Sequence, residues 1–565
     1  MVKYICEIIL ILCVFFSFHQ QSIDNNCEKI VLADGLGYYS YLPAIFIYND
    51  YEFSFTKSIS EKHEKMNFGD GFLKETDSGK VNKYYFGLSI LLLPFFLVAH
   101  FLAILLGLPA DGYSQIYQIS VLLAANFYVW LGCKYLRKLI LSYSVSENAA
   151  AFILLLTVFG TNLFFYTTFY SSYTHAYSFA LISIFLFSVH SFFLKENVKY
   201  LYFSALLLGI IALLRPTNLV IIILFPFLAG SLQRFWEKIK KFARYIPIAF
   251  TIFLLAIFPQ FLLYYVQTGH FMVWSYGDEK FYFDNPEFLN VLFSYKKGLF
   301  VYTPLCLVAL VGLFPLFKNN KFQFTIMVLF LFLSTYIISS WWCWYYGGSL
   351  GQRVFIDYYA ILGLLFSFLY LGLKKNYHKW LFFLITLPLV YYSLILSYQY
   401  RYRMIDYSGM NKQKFWFIFL RTEKSLEGLT SSGAFSNTGS TNIINIKASN
   451  NKYLSSERNE SNYILANRNE ASGWEVFNMI LLDNNNIAIK SDDGKYVSAR
   501  LDNGAVLAHV ADEIKPWEIF EKVQFDKDSF MLKACNGKFV ALSGDTLYAN
   551  AENISHAEHF TIIYK

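Results

Sequence analysis

The chain has 565 residues, of which 56% are hydrophobic, 20% aromatic and only 15% charged, with a mean hydropathy of +0.38. A soluble globular protein carries about 25% charged residues, so this composition excludes an ordinary soluble enzyme and points to a polytopic membrane protein in a lipid bilayer. The net charge of +7 lies in short basic links between apolar runs, a pattern that excludes nucleic acid as the expected partner.

The N-terminus has one lysine, the apolar run 4–18 and no small-residue cleavage site before Asp24. It reads as an uncleaved signal-anchor helix. Asp34 follows soon after, in Leu32-Ala33-Asp34-Gly35-Leu36-Gly37-Tyr38-Tyr39-Ser40-Tyr41-Leu42. That places an acid near the bilayer surface, on the side opposite the N-terminus. Further apolar runs cover 86–107, 115–132, 148–165, 176–194, 199–214, 217–230, 245–266, 299–317, 322–340, 354–373 and 379–397.

Basic clusters occupy 134–138, 195–199, 238–244, 318–321 and 374–379, and the positive-inside rule puts them all in the cytoplasm. Parity then holds from 115 onward. It fails at the start of the chain if 86–107 crosses fully. The expectation is therefore about eleven crossings, with 86–107 re-entrant or interfacial and bent at Pro94. The N-terminus is inside and the C-terminus outside. The loops 19–85, 166–176, 267–298 and 339–353 fall on the outer face.

Those loops gather the unusual polar and aromatic residues: Thr167 to His175, Ser294 to Phe300, and Trp341 to Arg353. Most of the tryptophans and tyrosines fit an interfacial belt. His175 and Arg353 do not, because an ionisable group at a membrane-helix end costs energy without a partner. Arg215 precedes Pro216 between two apolar runs, where freed backbone groups need protein or water beside them. It reads as a structural arginine paired with an acid or as a cavity wall. Cys6, Cys13, Cys27, Cys133, Cys306, Cys343 and Cys535 form no CxxC or CxxH pair, so no zinc site and no disulfide framework is expected.

The Asp34 stretch resembles one in GT-C-type bacterial membrane glycosyltransferases, a superfamily that includes protein O-mannosyltransferases and aminoarabinose transferases. The resemblance covers about residues 1–400. It extends through Asn82-Lys83-Tyr84-Tyr85-Phe86-Gly87, Leu93 to Phe96, Thr174 to Phe179, Arg215 to Asn218, Lys297 to Phe300 and Gly347 to Arg353. It implies that Asp34 is the catalytic carboxylate, that part of the first outer loop lies on the membrane as helices, and that a polyprenyl-phosphate sugar is the donor.

In such an inverting transfer one carboxylate takes the acceptor proton, and cations meet the charge developing on the leaving phosphate. Arg353, Lys296, Lys297 and His175 are the candidates for donor or phosphate binding. Tyr38, Tyr39, Lys83 and Arg215 are the candidates for lining the cavity. The best-known relatives carry paired acids, whereas Gly35 follows Asp34 here. A divalent cation, which wants several hard oxygens, would have to draw on Asp70, Glu75 or Asp77, and no metal ligand is assigned.

Beyond Tyr400 the composition changes. A link, 401–441, ends in a Ser/Thr/Gly-rich stretch that reads as flexible. Then Ile446-Lys447-Ala448 recurs as Ile489-Lys490-Ser491 and Leu532-Lys533-Ala534, with a spacing of 43 residues both times. Leu465-Ala466 recurs as Leu507-Ala508 and Tyr548-Ala549. Trp474-Glu475-Val476-Phe477 recurs as Trp517-Glu518-Ile519-Phe520 and Ala557-Glu558-His559-Phe560. Three such repeats with strand alternation and Gly turns predict a β-trefoil over 442–565. It is similar to the fascin-like trefoil, and its repeated residues read as core and turns. A glycan is the expected ligand class, with a structural cap as the alternative.

The whole chain thus reads as a multi-pass helical membrane domain, 1–400, with a C-terminal all-β trefoil. The expected activity is transfer of a sugar from the lipid-linked donor to a glycan, lipid or protein acceptor at the outer face of a bacterial cytoplasmic membrane. A flippase of lipid-linked glycans would need deep charges and a repeat among the helices, and neither is seen. A ligase or polymerase using a larger lipid-linked glycan is the nearer alternative.

Overall fold

The computed structural model describes residues 2–24, 30–63, 71–76, 79–422, 435–436, 439–458, 461–483, 486–512, 514–526 and 529–564. Asp70, Asp77 and Cys27 lie outside the described residues. The chain divides into two compact units, Met1–Arg401 and Tyr402–Lys565.

The first unit is mostly helical, and every apolar run of the sequence falls on a helical segment. Among the described residues eight helices are long and apolar enough to cross a membrane. A ninth is gained if Pro216–Ala229 and Leu232–Lys241, bent by 103°, count as one span. Glu147–Phe159, Val198–Leu214 and Leu305–Asn319 are shorter apolar helices.

Breaks fall where the chain chemistry puts them. Gly160 separates Glu147–Phe159 from Leu163–Thr168. Pro216 opens a 3-10 stretch, Pro216–Ile223, since it offers no N–H to the preceding turn. Pro304 and Gly312 cut the run 299–317 into three short helices.

Contacts sort the loops of this unit into two groups. In one, Lys134 pairs with Glu7 at 3.1 Å, Arg137 pairs with Glu147, and Glu196 pairs with Lys238 and Lys241. Asn320 donates to the Gly230 carbonyl at 2.8 Å. These are basic links that the charge rule puts in the cytoplasm. In the other group, Asp34 meets Arg353, His175 meets Asp357, and Lys83 meets Glu279.

The segment 86–107 is one continuous helix, Gly87–Leu105, with Pro94 inside it. Both of its ends nonetheless stay beside the first loop. At its start Ser89 Oγ donates to the Tyr38 carbonyl at 2.6 Å. Just past its end the Gly112 carbonyl accepts from Tyr39 at 2.5 Å, and Asp111 pairs with Lys62 and His63 at 3.0 Å each.

The second unit is all-β after the short helix Lys412–Ile418. Counting from the small hairpin β1 (Leu73–Thr76) and β2 (Gly79–Asn82) of the first unit, it begins with the two-residue β3 (Phe435–Ser436). The first repeat gives β4 (Gly439–Lys447), β5 (Tyr453–Ser456), β6 (Ile464–Arg468) and β7 (Phe477–Asp483). The second gives β8 (Asn486–Ser491), β9 (Tyr496–Arg500), β10 (Val506–Ala511) and β11 (Phe520–Gln524). The third gives β12 (Ser529–Ala534), β13 (Phe539–Ser543), β14 (Thr546–Ala551) and β15 (Phe560–Tyr564).

Antiparallel pairing runs β4–β7–β8–β11–β12–β15 and back to β4, a closed ring of six strands. The pairs β5–β6, β9–β10 and β13–β14 form three hairpins. This is the arrangement expected of a trefoil. It begins three residues earlier than the sequence boundary at 442, and 423–434 of the link lie outside the described residues. The repeated residues form one core. Ile446, Ile489 and Leu532 belong to it, as do Leu454, Val497 and Val540, and Phe477, Phe520 and Phe560.

Candidate functional site

Asp34 is the first residue of the helix Asp34–Pro43. Ala33 before it turns the chain with φ +47°, a region that side-chain-bearing residues seldom adopt. The two glycines that follow are needed for close approach. A Cβ on Gly35 would sit 2.1 Å from Ser172 Oγ, and one on Gly37 would sit 2.2 Å from the Tyr84 ring. The Asp-Gly-x-Gly spacing thus lets two other segments close over the acid.

Tyr84 is fixed from several sides. Its carbonyl accepts from Tyr41 at 2.7 Å, and its N–H donates to Asn82 Oδ1 at 3.0 Å. Asn82 in turn donates to the Gly37 carbonyl at 2.7 Å. The Tyr84 hydroxyl then donates to Asp34 Oδ1 at 2.8 Å. The other oxygen, Oδ2, accepts from Arg353 Nη2 at 2.6 Å. Arg353 arrives from a turn in which Gly347 and Gly351 have φ of +67° and +60°, and its guanidinium lies 4.9 Å from the Tyr173 ring centre. Residues 319 positions apart are thereby joined.

Burial alone would raise the Asp34 carboxyl. The Arg353 charge and the bonds from Tyr84 and Arg353 outweigh it, and the group is held below the ordinary carboxylate value.

The pair opens onto a cavity of about 450 Å³. Tyr38, Lys83 and Arg215, three of the cavity candidates, line it together with His175, a donor-binding candidate, and Trp274, Tyr276, Trp341 and Tyr346 are among the aromatic walls. Behind the wall sits Asp357, fully buried. It meets His175 Nδ1 at 2.8 Å, accepts from Asn218 at 2.8 Å and lies 3.9 Å from Arg215. Arg215 therefore has an acid nearby, but no hydrogen bond closes between them. Lys83 pairs with Glu279 at 2.5 Å and lies 5.2 Å from the Tyr276 ring centre.

Three expected residues are placed elsewhere. Tyr39 is buried, and its hydroxyl is spent on the Gly112 carbonyl. Lys296 stacks its ammonium on Tyr345, 3.4 Å from the ring centre, so that Tyr345 rather than the lysine lines the cavity. Lys297 is buried against Tyr400 and donates to the Ser349 carbonyl. Glu75 is on β1, paired with Lys80 at 3.5 Å, and does not reach the cavity. Among the described residues no three His, Cys, Asp or Glu groups come together, and both oxygens of Asp34 are engaged. The described residues thus supply no cluster of hard oxygens for a divalent cation, and Asp70 and Asp77 lie outside them.

Glu279, Asp357, Asn218 and Tyr84 are the site residues missed in the sequence. Asp357 had a usable signal, since an acid at the start of an apolar helix calls for a partner.

Residues 450–562 match the fascin domain family, so the C-terminal all-β unit is a fascin domain. No curated protein matches the chain.

Proposed function

We propose that the chain, with its C-terminal fascin domain, is an integral-membrane glycosyltransferase of the GT-C type that moves a sugar from a polyprenyl-phosphate donor to an acceptor. The observation that carries the reading is the meeting of Asp34 and Arg353 in one aromatic-walled cavity with Lys83, Arg215 and His175. A membrane setting is supported by the apolar helices and by outward-facing residues such as Leu105, Leu255 and Leu384, each more than 60% exposed. The two ends of Gly87–Leu105 lying beside the same loop support a non-crossing placement of that helix. The other eleven apolar segments then cross, and the chain emerges on the outer face before the fascin domain.

The chemistry follows from the residue types. The acceptor hydroxyl gives its proton to Asp34 as its oxygen bonds to the anomeric carbon. The bond from that carbon to the phosphate oxygen breaks, and its electron pair stays with the polyprenyl phosphate. Guanidinium groups offer that phosphate paired, charge-assisted hydrogen bonds. Tyrosine and tryptophan walls suit a sugar face and the start of a prenyl chain. A glycan is the ligand class proposed for the fascin domain.

The test uses purified protein with a panel of polyprenyl-phosphate sugars and a lysate of acceptors. Wild type is expected to consume one donor. Asp34→Asn is expected to lose about 100-fold to 10,000-fold of that rate, the usual worth of a positioned base, while still unfolding cooperatively with a melting temperature lowered by no more than a few degrees. Equal turnover by both proteins would remove Asp34 from the centre of the reaction.

A further inference from the structure

Three cations line the cavity, and each faces an acid of the chain, but the three pairs are unequal. Arg353 and Lys83 are committed, at 2.6 Å from Asp34 and 2.5 Å from Glu279. Arg215 stands 3.9 Å from Asp357. The Asp357 oxygens are already bonded, one to His175 and one to Asn218, at 2.8 Å each. Among the described residues no hydrogen bond closes on the Arg215 guanidinium. It rests near the Tyr346 ring, 5.6 Å from its centre, with its side chain 17% exposed. A guanidinium whose N–H donors close on no protein acceptor has them free for the oxygens of an entering anion.

Asp34 presents the opposite situation. Both of its oxygens accept bonds from the protein itself, and one bond comes from a full positive charge. A carboxylate so engaged is a poor proton acceptor. Arg353 has spare capacity, because its Nε is buried without a partner. A phosphate within reach offers that guanidinium more oxygens than Asp34 does.

We propose that Arg215 receives the phosphate end of the ligand and that the arriving phosphate draws Arg353 off Asp34, so that the base is freed only when the cavity holds an anion. The inference rests on the phosphate-linked donor of the preceding reading. It adds an order to the reaction: donor first, acceptor proton second. It would protect a lipid-linked sugar from loss to water, since the base is masked until the donor is seated.

The experiment titrates a polyprenyl monophosphate into the full-length protein in detergent, following the fluorescence of Trp274, Trp341 and Trp342, which line the cavity. Wild type is expected to bind. Arg215→Gln is expected to weaken binding by about 10-fold or more, the scale of a lost charged hydrogen bond. Asp34→Asn is expected to tighten it severalfold, because Arg353 no longer has to leave a carboxylate. Tyr84→Phe, which removes a donor from the same carboxylate without changing any charge, is expected to move affinity the opposite way by a smaller factor, because Asp34 then holds Arg353 more tightly. It keeps the test decisive if Asp34→Asn does not fold.

Inorganic pyrophosphate is expected to reproduce the ranking at higher concentration, and polyprenol without phosphate is expected to show no ranking. Binding that the Asp34 and Tyr84 variants leave unchanged overturns the exchange while the transferase reading stands. An unchanged Arg215→Gln, or the same ranking with polyprenol, overturns the phosphate assignment. No binding by wild type removes both this inference and the donor class on which it rests.

Discussion

Asp34 carries two opposed demands, and its surroundings show how they are met. Its burial favours the neutral acid, whereas Arg353 and Tyr84 favour the anion, and the anion wins. The consequence for stability has a definite sign. A carboxyl lowered in the folded state stabilises the fold above its unfolded value, about 3.9 for aspartate. That contribution fades as pH falls through the lowered folded value. Asp34→Asn should therefore melt below wild type at pH 7, and a pair worth about 1 kcal/mol corresponds to roughly 1 °C in a unit the size of Met1–Arg401. The gap should narrow as the pH falls below about 3.9 toward the lowered folded value, where wild type also loses the charge. Thermal melting of both proteins in one detergent at pH 7, 5, 4 and 3 checks this. A gap that persists unchanged at pH 3 would mean that the lost interaction is not the ionised carboxylate.

At the scale of elements, the helix Gly87–Leu105 makes the sharpest case. Its length and mean hydropathy of 2.6 are those of a crossing helix, yet its ends are pinned to one loop by Tyr38, Tyr39 and the Asp111 pairs. Cysteine labelling decides the matter. In a background with the native cysteines changed to serine, Glu52→Cys and Pro109→Cys should react with a membrane-impermeant reagent from the same side. Lys138→Cys should react from the other. Labelling of Glu52→Cys together with Lys138→Cys, with Pro109→Cys on the other side, would make the helix a crossing one.

This element also shows what the sequence can carry. Charge parity alone gives the expectation that both ends of 86–107 lie on one side, because basic links report sidedness without any contact being known. Asp34 and Arg353 were legible for a similar reason, as ionisable residues next to glycine turns. Lys296 and Lys297 had the right charge on the right loop, but their neighbours Tyr345, Tyr400 and Ser349 come from distant segments that no local pattern names. Asp357 and Glu279 were missed on the same ground. Each is meaningful only through its partner, Arg215 or Lys83, which lies far away in the chain.

The whole molecule joins a helical unit to an all-β one, and the second owes its fold to a threefold repetition rather than to any single segment. Phe477, Phe520 and Phe560 are equivalent in the three repeats and are all buried in one cluster. Their strands β7, β11 and β15 alternate with β4, β8 and β12 in the closed ring, so each ring closes one third of the barrel. If the repeats contribute equally, removing any one of the rings should cost about the same. The fragment 435–565, expressed alone, is expected to unfold cooperatively in urea. Phe477→Ala, Phe520→Ala and Phe560→Ala should each lower its stability by about 3–5 kcal/mol, the usual cost of truncating a buried phenylalanine. Trp517→Ala should cost less, because that ring stands 37% exposed at the surface. A variant of one repeat that falls well below the other two would show that the barrel closes around two repeats with the third merely appended. Such a barrel would be marginal, since a small β unit depends on full closure to leave no open edge.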